Sequence, residues 1–186
     1  ADDVVTLVVW AGATGTALVP RGSGSSMAGG AIGRGVVVDL SRIKHLGRID
    51  ENNRAVWADP GVLWATLDVA ARRKGLRLPV DPSSGEFCTI GGMTATNAAG
   101  AHSLRHGATR PWIRAIDCVF ADGSAATIRR GSPIPTSIGA LARFERARSN
   151  LLAPMSSFSH PGVLKDSSGY AIVHFAQSQE LIDLLV

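Results

Sequence analysis

Apolar residues crowd residues 4–11 behind Asp2 and Asp3, which predicts a short opening helix with acids in its first turn, where the helix dipole favours them. Glycines between 12 and 15 end it. Small and β-branched runs at 17–19 and 36–40 predict strands on either side of a glycine-rich stretch, and 54–58 predicts a third after the polar residues 50–53. Leu63, Leu67, Ala70 and Ala71 recur at helical spacing and Gly75 stops the pattern, so a helix is expected over 62–74. Two β-rich runs, 113–120 and 124–128, flank Ala121-Asp122-Gly123, and Asp-Gly between such runs signals a hairpin. Helical spacing returns at 138–152, between a loop holding Pro133 and Pro135 and a Ser/Pro/Gly loop over 153–162. From 177 an amphipathic pattern runs through Leu181, Ile182, Leu184 and Leu185, and the chain stops before any cap, which reads as an end inside an element. With no internal repeat, this alternation indicates an α+β or α/β arrangement of two lobes meeting near Ile113.

Composition narrows the class. The chain has 186 residues, 45% hydrophobic and 18% charged, enough for one sizeable core or two small lobes and unlike a disordered tail. No apolar run approaches the roughly 18 residues that span a bilayer. A net charge of +4 comes from short basic pieces such as Arg72-Arg73-Lys74 and Arg129-Arg130. Aromatic content of only 5% leaves no stacking platform between them, so nucleic acid is not the expected partner. Cys88 and Cys118 form neither a disulfide framework nor a paired metal spacing, which fits a reducing, cytoplasmic setting. Ala1-Asp2-Asp3 has no basic leader and no initiator Met, so the chain reads as a domain cut from a longer protein.

Glycine changes the picture, because its 21 copies exceed the usual share of about 7% and cluster between Gly22 and Gly35. Pro20-Arg21-Gly22-Ser23-Gly24-Ser25-Ser26 follows a predicted strand and offers closely spaced N–H groups with little side-chain bulk, several hydroxyls and one guanidinium. That chemistry suits a pyrophosphate, since glycines reach the positive φ of an anion nest; a flexible surface loop is the bland reading. A second stretch, Asp81-Pro82-Ser83-Ser84 through Thr89-Ile90-Gly91-Gly92 to Thr96, Asn97 and Gly100, repeats it, with amides for an anion or ring carbonyls and Asn97 able to donate and accept. Here the bland reading is a tight Gly-Gly turn and a helix C-cap at Asn97 and Gly100. Two such loops, far apart in sequence, suggest one extended ligand gripped at several points.

Named motifs fail on the first loop. Met27 stands where the dinucleotide fingerprint needs its third glycine, and Gly29, Gly30, Gly33 and Gly35 oppose the long helix that should follow. Gly30-Ala31 stands where a nucleoside-triphosphate loop needs Lys and Ser/Thr. Ser26 loosely resembles a hydrolase nucleophile, with Asp122 and His160 or His174 in permissible order, again without the required helix. His102 and His106 are four apart, but no third ligand accompanies them at metal-binding spacing. His45, His160 and His174 are isolated, and Trp112 reads as packing between lobes.

Together, residues 20–26, Asp81-Pro82-Ser83-Ser84, Thr89-Ile90-Gly91-Gly92, Thr96-Asn97-Ala98-Ala99-Gly100, Ala121-Asp122-Gly123 and Lys165-Asp166-Ser167-Ser168-Gly169-Tyr170 make the chain similar to the FAD-linked oxidase family. Within it, the sequence most resembles the branch of D-lactate dehydrogenase and the glycolate oxidase D subunit. The resemblance implies an α+β, two-lobed PCMH-type FAD-binding domain, truncated at its C-terminus, with residues 1–112 as the first lobe and 113–186 as the second. FAD would lie between the lobes. Pro20, Arg21, Gly22, Ser23, Gly24, Ser25 and Ser26 would wrap its pyrophosphate, and Ser83, Ser84, Thr89, Gly91, Gly92, Thr96, Asn97 and Gly100 would line the rest.

The resemblance also implies a flavin-dependent oxidation of a 2-hydroxy acid, with the small-molecule substrate held mainly by a domain that follows in the family. Ser25 and Ser26 stand where relatives with histidyl-linked flavin carry the histidine, and Cys88 is offset from the cysteinyl pattern, so noncovalent FAD is expected. No catalytic residue is assigned. Without the closing segment, Leu181, Ile182, Leu184 and Leu185 are expected to lack part of their packing surface and to invite self-association. A noncatalytic FAD- or nucleotide-binding module, and a serine hydrolase using Ser26, remain the alternatives.

Overall fold

The computed structural model describes residues 2–154 and 170–186. Most of the loop expected over 153–162, with His160 and residues 165–169 of the resemblance, lies outside the described residues. The chain divides into two units, one formed by Ala17–Thr109 and the other by the N-terminal helix with the chain from Arg110 onward. Helix α1 (Asp2–Thr14) begins on the two predicted acids. It belongs with the C-terminal unit, although the sequence reading groups it with residues up to 112, because it packs beside the 115–129 hairpin. There, a Cβ on Gly123 would press into the Val9 side chain.

In the unit Ala17–Thr109, strands β1 (Leu18–Arg21) and β2 (Val36–Asp39) pair in parallel, with Leu18 opposite Val36 and Arg21 opposite Asp39. No helix connects them; turns and bends fill the glycine-rich stretch. The strand expected at 54–58 is reduced to isolated bridges, Asp50 with Ala55 and Leu46 with Ala58. Arg54 takes a positive φ of 49°, and the Asp50 carboxylate accepts from Asn53 N and Nδ2 at 2.9 and 2.7 Å, so the chain folds back here instead of extending.

Helix α2 (Trp64–Arg72) follows the predicted spacing, and Leu67 and Ala71 join Val62 in a core lined by Leu46, Val56, Leu78 and Ile90. A second cluster of Val80, Cys88 and Met93 shares Leu78 and Ile90 with the first, so the two form a continuous apolar layer beneath the second loop. Two short helices complete the unit, α3 (Ile90–Ala95) and α4 (Ser103–His106).

The other unit holds α1, a 3-10 turn (Arg110–Trp112), the hairpin β3 (Ala115–Val119) and β4 (Ala125–Arg129), and helices α5 (Gly139–Leu152), α6 (Ile172–Ser178) and α7 (Leu181–Leu185). The hairpin is antiparallel with Cys118 opposite Ala126, and Gly123 supplies the positive φ of 80° that its turn needs. The amphipathic stretch after 177 is broken at Gln179, whose φ of 59° ends α6 before α7 begins. Leu181 and Ile182 are buried with Ile128, Leu141 and Val186, and Leu184 packs against that core, so these three do not lack the packing surface the sequence reading expects them to lack, while Leu185 is 37% exposed. Arg130 Nη2 donates to Asp183 Oδ1 at 2.7 Å, Arg110 Nε to Val186 O at 2.7 Å and Gly131 N to Glu180 Oε2 at 2.9 Å, fastening α7 to the hairpin and the 3-10 turn.

Candidate functional site

The second loop owes its shape to α2. Leu63 at the N-cap offers no side-chain acceptor, so the first free N–H groups of α2 find carbonyls in the loop instead: Trp64 N donates to Cys88 O at 3.0 Å and Ala65 N to Gly85 O at 3.2 Å. The indole Nε1 of Trp64 donates to Val80 O at 2.6 Å, and Phe87 N and Cys88 N both donate to Ser84 O at 2.8 Å. Residues 80–88 are thereby folded onto one helix end. Ser83 stays exposed and Ser84 half-buried, while Cys88 is buried beneath them.

Thr89 joins this loop to α3. Its backbone forms a bridge with Leu63, its hydroxyl accepts the Gly92 N–H at 3.2 Å as N-cap, and it is only 1% exposed. Gly91 N donates to Pro60 O at 2.9 Å, and a Cβ on Gly91 would lie 2.6 Å from Pro60 Cβ, so glycine is required there by close backbone approach. Gly91 and Gly92 are therefore helical and do not form the tight turn considered from sequence. The hydroxyl of Thr96 donates to Gly92 O at 2.9 Å, and Asn97, buried and at φ 43°, turns the chain out of the helix.

The first loop leaves β1 at Pro20 and Arg21. Gly22 is half-buried against Thr89, and Gly24 takes the positive φ, 70°, that glycine reaches readily. Arg21 curls back over the loop: a Cβ on residue 24 would lie 2.5 Å from its Nη2. The hydroxyl and N–H of Ser41 hold the Asp39 carboxyl below its usual range, and the Arg21 charge adds to this from the facing strand. Ser23, Ser25 and Ser26 are exposed, and the N–H groups of residues 23–26 donate to no protein acceptor among the described residues. An exposed loop of small side chains with unused amides and a guanidinium over it fits a phosphate group.

The structure thus brings Gly22 of the first loop to Thr89 of the second, beside Gly92, while Ser83, Thr96 and Ser23–26 remain accessible around them. Ser26 is followed by turns, which leaves it without the helix a nucleophile elbow needs. Three residues outside the predicted cofactor-binding set are tied into it. The Asp81 carboxylate binds His102, and Thr109 fastens the 96–100 turn through Ala98. No motif spacing signals either, since the partners are 21 and 11 residues apart.

Comparison with known proteins follows the same stretch of chain. A family model described as FAD binding domain matches residues 1–129. The chain is 33% identical over 140 residues to D-lactate dehydrogenase of Archaeoglobus fulgidus, a match covering 74% of this chain and 31% of that protein. It is 34% identical over 123 residues to the glycolate oxidase subunit GlcD of Bacillus subtilis, covering 65% of this chain and 26% of that one. The chain therefore spans less than a third of the length of these relatives. Alkyldihydroxyacetonephosphate synthase matches the fold with a TM-score of 0.62 at 25% identity, over 72% of this chain and 26% of that one. Among the described residues, no helix is long and apolar enough to cross a membrane.

Proposed function

The chain belongs to the FAD-binding domain family, and from that premise we propose that it holds FAD noncovalently through two loops of its Ala17–Thr109 unit, within a protein that oxidises a 2-hydroxy acid. The apposition of Gly22 and Thr89 carries this reading, because it gathers two glycine-and-hydroxyl loops around one place. Pro20, Arg21, Gly22, Ser23, Gly24, Ser25 and Ser26 take the pyrophosphate, with amides as donors and Arg21 as counter-charge. Ser83, Ser84, Thr89, Gly91, Gly92, Thr96, Asn97 and Gly100 line the remainder of the cofactor. Bound FAD supplies the two-electron acceptor; these residues bind, orient and shield it.

D-lactate or glycolate is the substrate class, on the strength of the relatives named D-lactate dehydrogenase and glycolate oxidase subunit. Since the matches occupy 31% and 26% of those relatives, substrate contacts fall mainly outside the flavin-binding residues in this reading. Noncovalent attachment follows from the absence of histidine in residues 20–26 and from the burial of Cys88. Self-association would use the apolar residues left on the surface of α1 and α7, Val9, Trp10 and Leu185. Two free thiols fit a cytoplasmic setting.

Titrating FAD with the chain and following flavin fluorescence tests the binding half, for which a saturable change is expected and no change rejects it. Adding D-lactate or glycolate anaerobically to the flavin-loaded whole protein tests the chemistry. Loss of the flavin's visible absorbance supports the oxidoreductase, whereas bound flavin that no 2-hydroxy acid bleaches points to a noncatalytic FAD-binding module.

A further inference from the structure

Asp81 closes on the 96–102 segment at several points. Its Oδ1 accepts the His102 backbone N–H at 3.1 Å, and its Oδ2 is paired with His102 Nδ1. A Cβ on Gly100 would lie 2.7 Å from that same Oδ1 and closer still to the Asp81 carbonyl, so only glycine lets the two backbones approach. The His102 N–H holds the Asp81 carboxyl below its usual range against the opposing effect of burial.

The other side of the turn is anchored separately. Thr109 N and Oγ1 donate to Ala98 O at 2.9 and 2.7 Å, and Ala98 N donates to Met93 O at 2.9 Å. Beside these anchors stands Asn97 at a φ of 43°, a conformation a non-glycine residue holds only when its surroundings impose it. Thr109 and Met93 fix the turn at Ala98, Ser103 N donates to Gly100 O at 3.0 Å, and Asp81 holds the far end of the turn at His102.

We propose that Asp81 is a positioning residue that braces the 96–100 turn in its cofactor-ready conformation, with His102 as the second arm of the brace. The inference rests on the reading that this turn lines FAD. A turn ordered before the ligand arrives does not have to be ordered on binding, so the brace acts on affinity through preorganisation. The His102 side chain is 58% exposed, and its pairing with Asp81 is the interaction that orients it. The His106 ring, 6.4 Å away, is its titratable neighbour on α4.

The test combines FAD titration with hydrogen exchange in the 186-residue chain. Asp81→Ala is expected to weaken FAD binding about tenfold, the size of one charge-assisted hydrogen bond, and to speed amide exchange at residues 99–102. His102→Asn, whose amide nitrogen can stand where Nδ1 stood, is expected to keep near-parental affinity, and His102→Gln is not. Unchanged exchange and affinity in Asp81→Ala overturn the proposal. Should the unaltered chain bind no FAD, the site reading fails by itself, and the brace is judged by exchange alone: faster exchange in Asp81→Ala supports it and equal exchange rejects it. Should Asp81→Ala not fold, the two His102 variants decide, and equal affinities for Asn and Gln overturn the brace.

Discussion

Gly22 and Thr89 are packed so closely that a Cβ on residue 22 would stand 3.4 Å from Thr89 Cβ and overlap the Thr89 hydroxyl. That hydroxyl is already committed to the Gly92 N–H, so it cannot swing aside without uncapping α3. Gly22→Ala is therefore expected to cost about 1–3 kcal/mol, as overpacking does. Thr89→Ala alone loses the cap, about 1 kcal/mol, but removes the obstruction. The double variant should be less destabilised than the two single costs added together, measured as unfolding free energies in urea. Strict additivity would show that the apposition carries no energy.

Gly24 is constrained by its own backbone more than by space. Its φ of 70° costs an L-residue about 1–2 kcal/mol, whereas the neighbour a Cβ would meet is the flexible end of Arg21. Gly24→Val should weaken FAD binding by tenfold or more, because a β-branched residue resists that φ and fills the loop. Arg21→Ala should weaken it less, since the amides remain. Flavin fluorescence titrations of the two variants give the ranking, and parental affinity in both would remove the first loop from the pyrophosphate site.

Local chemistry was legible in the sequence, and long-range packing was not. Asp122-Gly123 announced the hairpin because the turn's backbone demands glycine at that point. Helix α2 was equally open, since its apolar spacing is closed by a stop glycine, Gly75, at a φ of 68° just beyond its end at Arg72. Gly22 could be recognised as a glycine needed by the backbone, but its reason, Thr89, lies in another loop. Residues 54–58 carry a strand-like pattern that the Asp50 turn overrides. The break at Gln179 had no signal at all, because the positive φ falls on a residue with no preference for it. The Asp81–His102 pair was hidden for the same reason as Thr89, since neither partner's surroundings in sequence point to the other.

Acid should loosen the attachment of α7. Burial pushes the Asp183 carboxyl up, but hydrogen bonds from Arg130 and Ser178 and the charges of Arg130 and Arg110 outweigh it and hold the group below its ordinary 3.8. A carboxyl lowered in the folded state stabilises at every pH above its unfolded value, and that contribution disappears as pH falls from there through the folded value. The unfolding free energy of the parent should drop more steeply below about pH 4 than that of Asp183→Asn. At pH 7 the variant should already be about 2 kcal/mol less stable, having lost a charge-assisted hydrogen bond within a largely buried cluster. Parallel pH curves for the two proteins would mean that the pair contributes nothing to folding.

The two thiols should be slow to react, which bears on how flavin is attached. Burial pushes the Cys88 thiol up against the opposing hydroxyl of Ser84, and pushes Cys118 to about 11, with Asp117 adding to it. The thiolate is the nucleophile, so near neutral pH neither side chain offers much of the form that bonds to a flavin ring or a disulfide reagent. Acid precipitation of the FAD-loaded chain should leave all flavin in the supernatant, and a disulfide reagent should label both cysteines quickly only after unfolding. Cys118 adds an alkaline signature. An acid whose folded pKa is raised binds more protons folded than unfolded between the two values, so stability falls as pH rises from about 9 towards about 11. A decline on the order of 1–2 kcal/mol over that range is expected for the parent and should be absent in Cys118→Ala. Yellow peptide in the acid pellet would instead identify Cys88 as a flavin attachment point, and an alkaline decline retained in Cys118→Ala would assign the titration to another group.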